Sequence, residues 1–511
     1  MTVRELLQAV AHAWPQEGRP TLPAAGALDV PCTAVTHDSR RVTPGSIFVA
    51  LRGLKVDAIT FAPQAIAAGA AAIVAEQPAP ADLFLPPVAL AEAGVPWMVV
   101  SDSRAALALL AAEFHGHPSR QMQVVGITGT NGKTTTSYLT AAMFEAAGIQ
   151  CGVMGTVMYR IGDRAIDATR TTPEAPDVQS LLWEMVTSGC GACVMEVSSH
   201  ALALRRVDGM RFAAGVFTNL TRDHLDFHAN MEDYFGAKRR LFEMLPDDAP
   251  AVINADDPRA QALIDVSRQP VTYGINKPAD VTPGPLSFSL SGLQFEIRSP
   301  HGIVHVQSPL VGRPNVYNIL AAVTTTLALG LPTDAIERAL EKLTGVPGRF
   351  EIVSSAGDDV TVLVDYAHTD DALRNLLETA RPMAQRKLIT VFGAGGDRDR
   401  TKRPLMGMVA ARLSDVVVIT SDNPRTEDPA RIIEDVNRGA SPETRQSGAE
   451  VMTIVDRREA IERAIARADT GDVVLIAGKG HEKYQEVGER TLPFDDVKVA
   501  REALEARRVR S

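Results

Sequence analysis

Val124-Val125-Gly126-Ile127-Thr128-Gly129-Thr130-Asn131-Gly132-Lys133-Thr134-Thr135-Thr136 is the stretch whose reading decides the fold. An apolar run, of the kind that fills buried parallel strands, ends in glycines spaced by threes, a lysine and three threonines, and a helical pattern follows from Ser137 to Ala147. The order is strand, phosphate loop, helix. Glycines let successive backbone N–H groups turn toward one point, where the start of a helix also favours an anion. Lys133 is then placed to meet the β- and γ-phosphates of a nucleotide such as ATP, and the Thr134 hydroxyl to sit on Mg2+. The usual spacing G-x-x-x-x-G-K-[ST] is not met, because Ile127 stands where its first glycine belongs. The loop is a variant, G-x-x-G-x-x-G-K-T. A glycine-rich turn without a ligand would leave the lysine directly after such a strand unexplained.

Working outward, 511 residues predict three domains, each long enough to bury its own core. A chain that is 45% hydrophobic and 22% charged has an ordinary globular composition, and a net charge of −10 argues against a nucleic-acid-binding surface. Basic residues should therefore act locally, at anionic ligands. Of the four cysteines, Cys190 and Cys193 have C-x-x-C spacing, but no second pair or histidine cluster completes a metal set, and a reduced approach to a strand is the better reading. The polar start Met1-Thr-Val-Arg-Glu lacks the apolar core of a signal peptide, so a cytoplasmic location is expected. Ala58 to Ala75 carries no charge over 18 residues, yet Pro63 and Gly69 break it, and helix, turn and strand in a soluble domain fit it better than a membrane span.

The fold class expected is α/β in three domains. Residues 1–112 alternate short helical and strand patterns, from a helix over Leu6 to Trp14 to the strand Trp97-Met-Val-Val, and make a small α/β domain. Its turn His37-Asp38-Ser39-Arg40 reads equally as a capping turn or as a holder of a nucleotide-sugar phosphate. His115 and His117 are read as linker histidines. Residues 113–346 are expected to form a central doubly wound, mostly parallel sheet around the phosphate loop, with an antiparallel hairpin between Leu286 and Val306 appended to it. Its strands end at Glu196, at a cluster of His224, Asp226 and His228, and at Asn254-Ala-Asp-Asp257; a helix from Met231 to Leu245 carries Lys238. After the linker Thr344-Gly-Val-Pro-Gly348, residues 347–511 supply four more apolar strands between helices and make a dinucleotide-fold-like α/β domain.

A phosphate loop needs a carboxylate partner for Mg2+, and Glu196 fits because it ends a strand parallel to the one feeding the loop; a buried structural carboxylate is the other reading. Lys238 taken alone reads as a solvated helix lysine. Together Gly129-Thr-Asn-Gly-Lys-Thr134, Glu196-Val-Ser-Ser-His200, Asn219-Leu-Thr-Arg-Asp-His224, Asn315-Val-Tyr-Asn318, Gly348-Arg-Phe-Glu351 and Asp365-Tyr-Ala-His368 resemble the Mur ligase family of ATP-dependent amide-forming enzymes, across all three domains. Asp38-Ser-Arg40 with Phe48-Val-Ala-Leu-Arg-Gly53 looks like the uridine-nucleotide domain of the member that adds the third residue of the peptidoglycan stem peptide.

The resemblance implies an ATP-dependent peptide ligase working through an acyl phosphate. Lys133, Glu196, His224 and Lys238 are then its catalytic set, with Gly129, Thr130, Asn131, Gly132, Lys133, Thr134 and Thr135 around the phosphates. It implies two Mg2+ ions, one on Thr134 and Glu196 and one on His224 and Lys238, the lysine carrying a carbamate. Asn318 would read adenine, Arg349 phosphate and Asp365 ribose. Ser39, Thr171, Thr172, Ser198 and Arg206 match positions that bind a UDP-N-acetylmuramoyl dipeptide. Asp422-Asn423-Pro424-Arg425 marks members that use meso-diaminopimelate rather than lysine, since a guanidinium can grip the distal carboxylate with two hydrogen bonds. Arg398, Gly478 and Glu482 complete that set, with Glu482 open for an ammonium. The implied partners are these small molecules alone, with no membrane insertion and a monomeric chain.

Three positions depart from the pattern: Leu204 stands for a glutamine, Asp57-Ala58-Ile59 for Asp-Gly-His, and Asp370 for a proline at a helix start. A folate-polyglutamate or lysine-adding ligase of the same superfamily is disfavoured by Asp422 to Arg425. A phosphate-loop ATPase that switches a partner protein would need neither Lys238 opposite His224 nor the third domain's charged loops.

Overall fold

Alternation within short apolar runs settles which core each side chain enters. In the computed structural model, which describes residues 1–11, 28–53, 56–80, 95–289, 292–343, 345–355, 357–445 and 448–510, the chain divides into two compact units. The first unit comprises Met1–Gly126, Ile149–Ala214 and Glu243–Ala249, and the second Ile127–Gly148, Gly215–Phe242 and Pro250–Ser511.

In the first unit, Val35–Thr36, Ile47–Val49, Ala72–Ala75 and Trp97–Val99 form a four-stranded sheet in that order, every pair parallel. Ile47, Val49, Ala72 and Val74 face a core filled from the helices Val3–Ala11 and Ser103–Phe114, while Phe48, Ile73 and Ala75 face a second core with Ile59, Ala62 and Ala65. Period-two alternation with both faces covered is why these strands read as unbroken apolar runs. Ala58 to Ala75 is a 3-10 turn, the helix Ala62–Ala67 and a strand, and among the described residues no helix is long and apolar enough to cross a membrane. Also in this unit, Cys151–Met154 runs parallel to Ala192–Glu196, beside the hairpin Met158–Ile161 and Arg164–Asp167. The four cysteines are free thiols, three of them buried.

In the second unit, Ala214–Phe217 pairs in parallel with Pro250–Asn254, which pairs with Gln269–Tyr273. The strand Gln123–Thr128 leads from the first unit into the helix Lys133–Ala146 of the second. The hairpin Gly292–Ser299 and Gly302–Ser308 is present, but it belongs to a separate four-stranded antiparallel sheet rather than extending the parallel one. Its outer strand residues are exposed on alternate positions, so one face suffices to bury it.

The C-terminal part is a six-stranded sheet in the order Glu351–Ile352, Thr361–Asp365, Val473–Ala477, Leu388–Phe392, Val416–Ile419, Glu450–Thr453, parallel except for its first pair. Leu363, Leu475 and Phe392 meet helices Asp370–Ala380, Lys402–Leu413 and Pro429–Gly439 on one face. Val362, Val474 and Val391 meet Arg457–Arg467 and Asp496–Arg510 on the other, a doubly wound arrangement. The helix expected over Leu6 to Trp14 is seen over Val3–Ala11; Trp14, Leu290 and the Phe288 side chain of the expected hairpin, and Thr344 of the expected linker, lie outside the described residues.

Candidate active site

The helix Lys133–Ala146 starts directly after Gly132, at φ +87°, and Gly129 sits at φ +146°. A Cβ on Gly129 would lie 1.9 Å from Thr218 Oγ1, and one on Gly132 2.4 Å from Asn318 Oδ1, so both positions need glycine for space as well as for backbone. The loop is stitched to the end of the neighbouring strand: Thr130 N donates to Asn219 O, Asn131 N to Asn219 Oδ1, both at 2.9 Å, and Thr218 Oγ1 to Asn131 O at 2.6 Å. Lys133 Nζ donates to Gly129 O (3.0 Å) and Thr130 O (2.8 Å), while Lys238 Nζ donates to the same Gly129 O at 2.7 Å. Two ammonium groups on one carbonyl repel each other. Burial first, and then the charge of Lys133, push the Lys238 pKa well below the usual lysine range, against the opposing pull of Asp223.

Lys238 is thus not the solvated residue that its local sequence indicates; it is 1% exposed. The helix Met231–Glu243 turns Tyr234, Phe235, Lys238, Leu241 and Phe242 inward, a helical stripe in which the lysine occupies a core position. Tyr234 hydroxyl shares a hydrogen bond with Thr130 Oγ1 at 3.1 Å, and Lys238 Nζ lies 4.4 Å from its ring centroid.

His224, in the left-handed region at φ +55°, stands edge-on to the same tyrosine, ring centroids 5.9 Å apart. Its Nε2 is 3.4 Å from Asp223 Oδ2, and Asp223 also faces His368 Nε2 at 3.7 Å and Lys402 Nζ at 3.8 Å. Burial alone would raise the Asp223 pKa, but the His368 hydrogen bond and the charges of His224 and Lys402 hold it well below the carboxylate range. Asn131 Nδ2 donates to Asp371 Oδ2 at 3.0 Å, and Arg349 Nη2 to Thr134 Oγ1 at 2.9 Å, so the phosphate loop is tied to the C-terminal part at two points. Arg349 lies over the Tyr366 ring at 4.7 Å, and Asp365 accepts from Phe350 N and Ala367 N, each at 2.7 Å. Asn318 Nδ2 donates to Asn315 Oδ1 at 3.0 Å. The nucleotide candidates from Gly129 to Thr135, with Lys238, His224, Asn318, Arg349 and Asp365, therefore gather in one unit. His228, from the expected His224, Asp226 and His228 cluster, is buried against Tyr234 instead, and among the described residues no three His, Cys, Asp or Glu side chains form a metal cluster.

A second network lies within the first unit. Glu196 accepts from Thr156 N (2.8 Å) and Thr156 Oγ1 (3.1 Å), and Thr156 Oγ1 meets Thr171 Oγ1 at 3.1 Å. Thr172 Oγ1 donates to Glu196 O at 2.8 Å and accepts from Ser198 N at 3.1 Å, while Arg206 donates to Thr172 O at 3.0 Å and pairs with Glu174 at 2.7 Å. Thr171, Thr172, Ser198 and Arg206 are thus joined to Glu196; Thr156 and Glu174, which link them, carry no sequence signal of their own. Ser39 stands outside this network, its Oγ donating to Gln64 Oε1 at 3.0 Å, while Asp38 caps the short turn Ser39–Arg41. Of the departures, Asp57 caps the turn Ala58–Phe61, Leu204 follows the last turn of the helix Ser199–Ala203, and Asp370 opens a helix capped by Thr369.

The amine candidates sit on loops at the C-terminal ends of parallel strands. Asn423 Oδ1 accepts from Lys479 Nζ and from Glu486 N, both at 3.0 Å, and Asn423 Nδ2 donates to Glu482 Oε2 at 2.9 Å. Lys479, fully buried, also donates to Glu482 Oε2 at 2.9 Å, so Glu482 already holds an ammonium. Asp422 is buried too, and the charges of Lys479 and Arg457 outweigh its desolvation and lower its pKa. Arg425 adopts φ +52°; its Nη1 donates to Gly396 O and its Nε pairs with Glu486 Oε2, both at 2.8 Å. Pro424 is buried beside it, and Gly478 follows the strand Val473–Ala477. Arg398 is exposed and donates to Asp397 O at 3.3 Å. Beneath the loops, Arg457 makes two bonds to Asp496 (2.8 and 2.7 Å) and one each to Ser421 O (3.3 Å) and Ala477 O (3.0 Å), with both side chains wholly buried.

Glu427 secures the same loop, accepting from Arg403 at 2.8 Å and from Asp397 N at 2.7 Å. The Arg403 hydrogen bond brings its pKa down to about 2 against desolvation. A carboxylate depressed in the folded state contributes stability above its unfolded pKa that is lost as pH falls through the folded one. Glu427→Gln should therefore lower thermal stability at neutral pH, with the difference from wild type closing between the ordinary glutamate range and pH about 2 in a melting series.

A phosphate loop with two converging lysines, on α/β units with parallel sheets, is the arrangement of a nucleotide-binding protein. Residues 127–326 match the Mur ligase middle domain, 348–480 the Mur ligase glutamate ligase domain and 31–115 the Mur ligase family catalytic domain. The chain belongs to the Mur ligase family. It is 48% identical over 482 residues to the UDP-N-acetylmuramoyl-L-alanyl-D-glutamate--2,6-diaminopimelate ligase of Gloeobacter violaceus, covering 94% of this chain and 96% of the relative. The protein of the same name from Solibacter usitatus is 46% identical over 489 residues, 95% of this chain and 96% of its own. A solved structure of a ligase with that name is 35% identical, with a TM-score of 0.68 over 99% of each chain.

Proposed function

We propose that this chain joins meso-2,6-diaminopimelate to UDP-N-acetylmuramoyl-L-alanyl-D-glutamate at the expense of ATP, releasing ADP and phosphate, in cytoplasmic peptidoglycan precursor synthesis, on which cell shape and division depend. The observation that carries this reading is one compact unit holding both a phosphate loop with two lysines on Gly129 O and a charged loop, Asp422 to Arg425, of the kind that binds amino-acid groups. Relatives of that name at 45 to 48% identity over nearly the whole chain support it. We assign residues 1–112 to the uridine nucleotide, 113–346 to ATP and 347–511 to the amine, in a monomer.

In this reaction the glutamyl carboxylate attacks the γ-phosphorus and ADP leaves, giving an acyl phosphate. The amine then attacks the acyl carbon, phosphate leaves, and the nitrogen gives up a proton. Both reactants of the first step are anionic. Lys133 exchanges the carbonyls of Gly129 and Thr130 for phosphate oxygens, and Arg349 adds a second positive charge from beside Thr134. Asn318, against Gly132, takes adenine and Asp365 the ribose. Within the second unit, Thr134, His224 and Lys238 suit a hard cation only if Lys238 is carbamylated, because an ammonium repels a metal whereas a carbamate offers an anionic oxygen. The depressed Lys238 pKa supplies the neutral amine that captures CO2. Two Mg2+ ions held there would offset the repulsion between carboxylate and γ-phosphate. Ser39, Thr171, Thr172, Ser198 and Arg206 are assigned to the muramoyl dipeptide, and Arg398, Asp422 to Arg425, Gly478 and Glu482 to diaminopimelate.

The experiment is phosphate release with ATP, Mg2+ and the UDP-muramoyl dipeptide, with and without diaminopimelate. Release that requires diaminopimelate is the expected result; equal release without it overturns the assignment.

A further inference from the structure

The loop that carries Arg349 and the loop that carries Glu482 touch without clearance. Strands Thr361–Asp365 and Val473–Ala477 run in parallel with Asp365 level with Ala477, so Tyr366 and Gly478 leave the sheet at the same end. Gly348, at φ +66°, and Gly480, at φ +51°, cross there. A Cβ on Gly348 would stand 2.1 Å from His481 N, and one on Gly480 would stand 2.7 Å from both Gly348 O and Tyr366 Cβ. In a packed interior, two backbones this close move together. Tyr366 lies beside the crossing. Its ring is 4.7 Å from the Arg349 guanidinium and 4.9 Å from the His481 ring, while His368 stands edge-on to it at 4.7 Å, with Nδ1 2.9 Å from Tyr366 O. Burial first, and then the charge of Glu482, raises the Tyr366 pKa far above the usual phenol range, so this residue keeps its proton and acts through its ring. On the far side Arg349 reaches Thr134 Oγ1 of the phosphate loop at 2.9 Å, and His481 stands next to Glu482.

We propose that Tyr366 is a positioning residue whose ring couples the nucleotide end of the site, through Arg349, to the amine end, through His481, so that each ligand tightens the other. This rests on the ligase reading and deepens it. A phosphate on Arg349 fixes the guanidinium, the ring beneath it, and with that ring His481 and the loop from Gly478 to Glu482. The amine then meets a loop that is already ordered, and by reciprocity it tightens the nucleotide by the same factor. A guanidinium holds an aromatic face by cation–π attraction and stacking, neither of which uses the hydroxyl. The coupling suits the two-step reaction. An acyl phosphate formed with no amine in place is lost to water, and a site that orders on both ligands together limits that loss.

The test is the affinity for a non-hydrolysable ATP analogue, measured by calorimetry with Mg2+ and the UDP-muramoyl dipeptide, with and without saturating meso-diaminopimelate. In the wild type, diaminopimelate should tighten the analogue at least about fivefold, the lower end of ordinary coupling. Tyr366→Phe keeps the ring and should keep that ratio, whereas Tyr366→Leu should bring it to about one. His481→Ala removes the contact on the amine side alone. It should also bring the ratio to about one while the affinity without diaminopimelate stays at the wild-type value. A role in stability alone would lower the melting temperature and leave the ratio untouched. A wild-type ratio of about one, a phenylalanine variant that falls as far as the leucine variant, or a wild-type ratio in His481→Ala would overturn the proposal. If Tyr366→Leu does not fold, His481→Ala decides. A wild type whose phosphate release ignores diaminopimelate would instead overturn the ligase reading.

Discussion

Lys238→Ala should lower kcat by at least about a hundredfold, the scale of losing one preorganised charge contact at a reacting phosphoryl group, and a short carboxylate such as formate should restore part of it. The reasoning starts from the core position of this side chain in the helix Met231–Glu243 and from the carbonyl it shares with Lys133. An amine in that place is driven toward its neutral form, and only a neutral amine adds CO2. Stability should move the other way. Because the folded pKa lies below that of the unfolded chain, unfolding takes up a proton at neutral pH, so stability rises with pH toward the ordinary lysine range. The alanine variant should flatten that rise and melt no lower than the wild type at neutral pH. Full activity in Lys238→Ala would remove this lysine from the chemistry; a large loss of melting temperature would make its role structural.

Arg457→Ala should destabilise the C-terminal part by about 3–5 kcal/mol, the range found when one partner of a buried ion pair is removed. Arg457 joins Asp496, at the start of the helix Asp496–Arg510, to Ser421 O and Ala477 O, the residues from which the two amine-site loops depart. Its removal leaves the Asp496 carboxylate buried without a counter-charge. Denaturant unfolding should show the loss, and the KM for the amine should rise with it, while nucleotide affinity changes little. A midpoint within about 0.5 kcal/mol of wild type, as for ordinary surface changes, would mean that water or a rearranged loop replaces the guanidinium.

The strands were legible in the sequence because doubly covered parallel strands are apolar at every position, so Leu388–Phe392, Val416–Ile419 and Val473–Ala477 announce themselves. Short or half-exposed strands did not: Glu450–Thr453 and the hairpin Tyr484–Val487 with Arg490–Pro493 are polar enough to pass for loops. At the site, the phosphate loop was readable because its glycines and lysine are contiguous. The burial of Lys238 was not, since charged neighbours Arg239 and Arg240 mask the stripe it belongs to. Thr156, Asp223 and Glu486 were missed as functional positions for another reason. Each acquires its partner from across the chain: Thr156 reaches Glu196, Asp223 reaches His368 and Lys402, and Glu486 reaches Arg425. Spacing along the sequence carries no trace of such pairs.

Asn423 gives the amine site a property that concerns how such a specificity could change. Its single amide binds Lys479, Glu482 and the backbone of Glu486, while Asn423 O receives Gly396 N at 2.8 Å. Three segments, around residues 395–398, 421–427 and 478–488, are therefore sewn through one residue, the last two by its side chain and the first by its carbonyl. A ligase that took a different amine would have to exchange them as a cassette, because a lone substitution at Arg425 would leave the remaining seams cut for the old substrate.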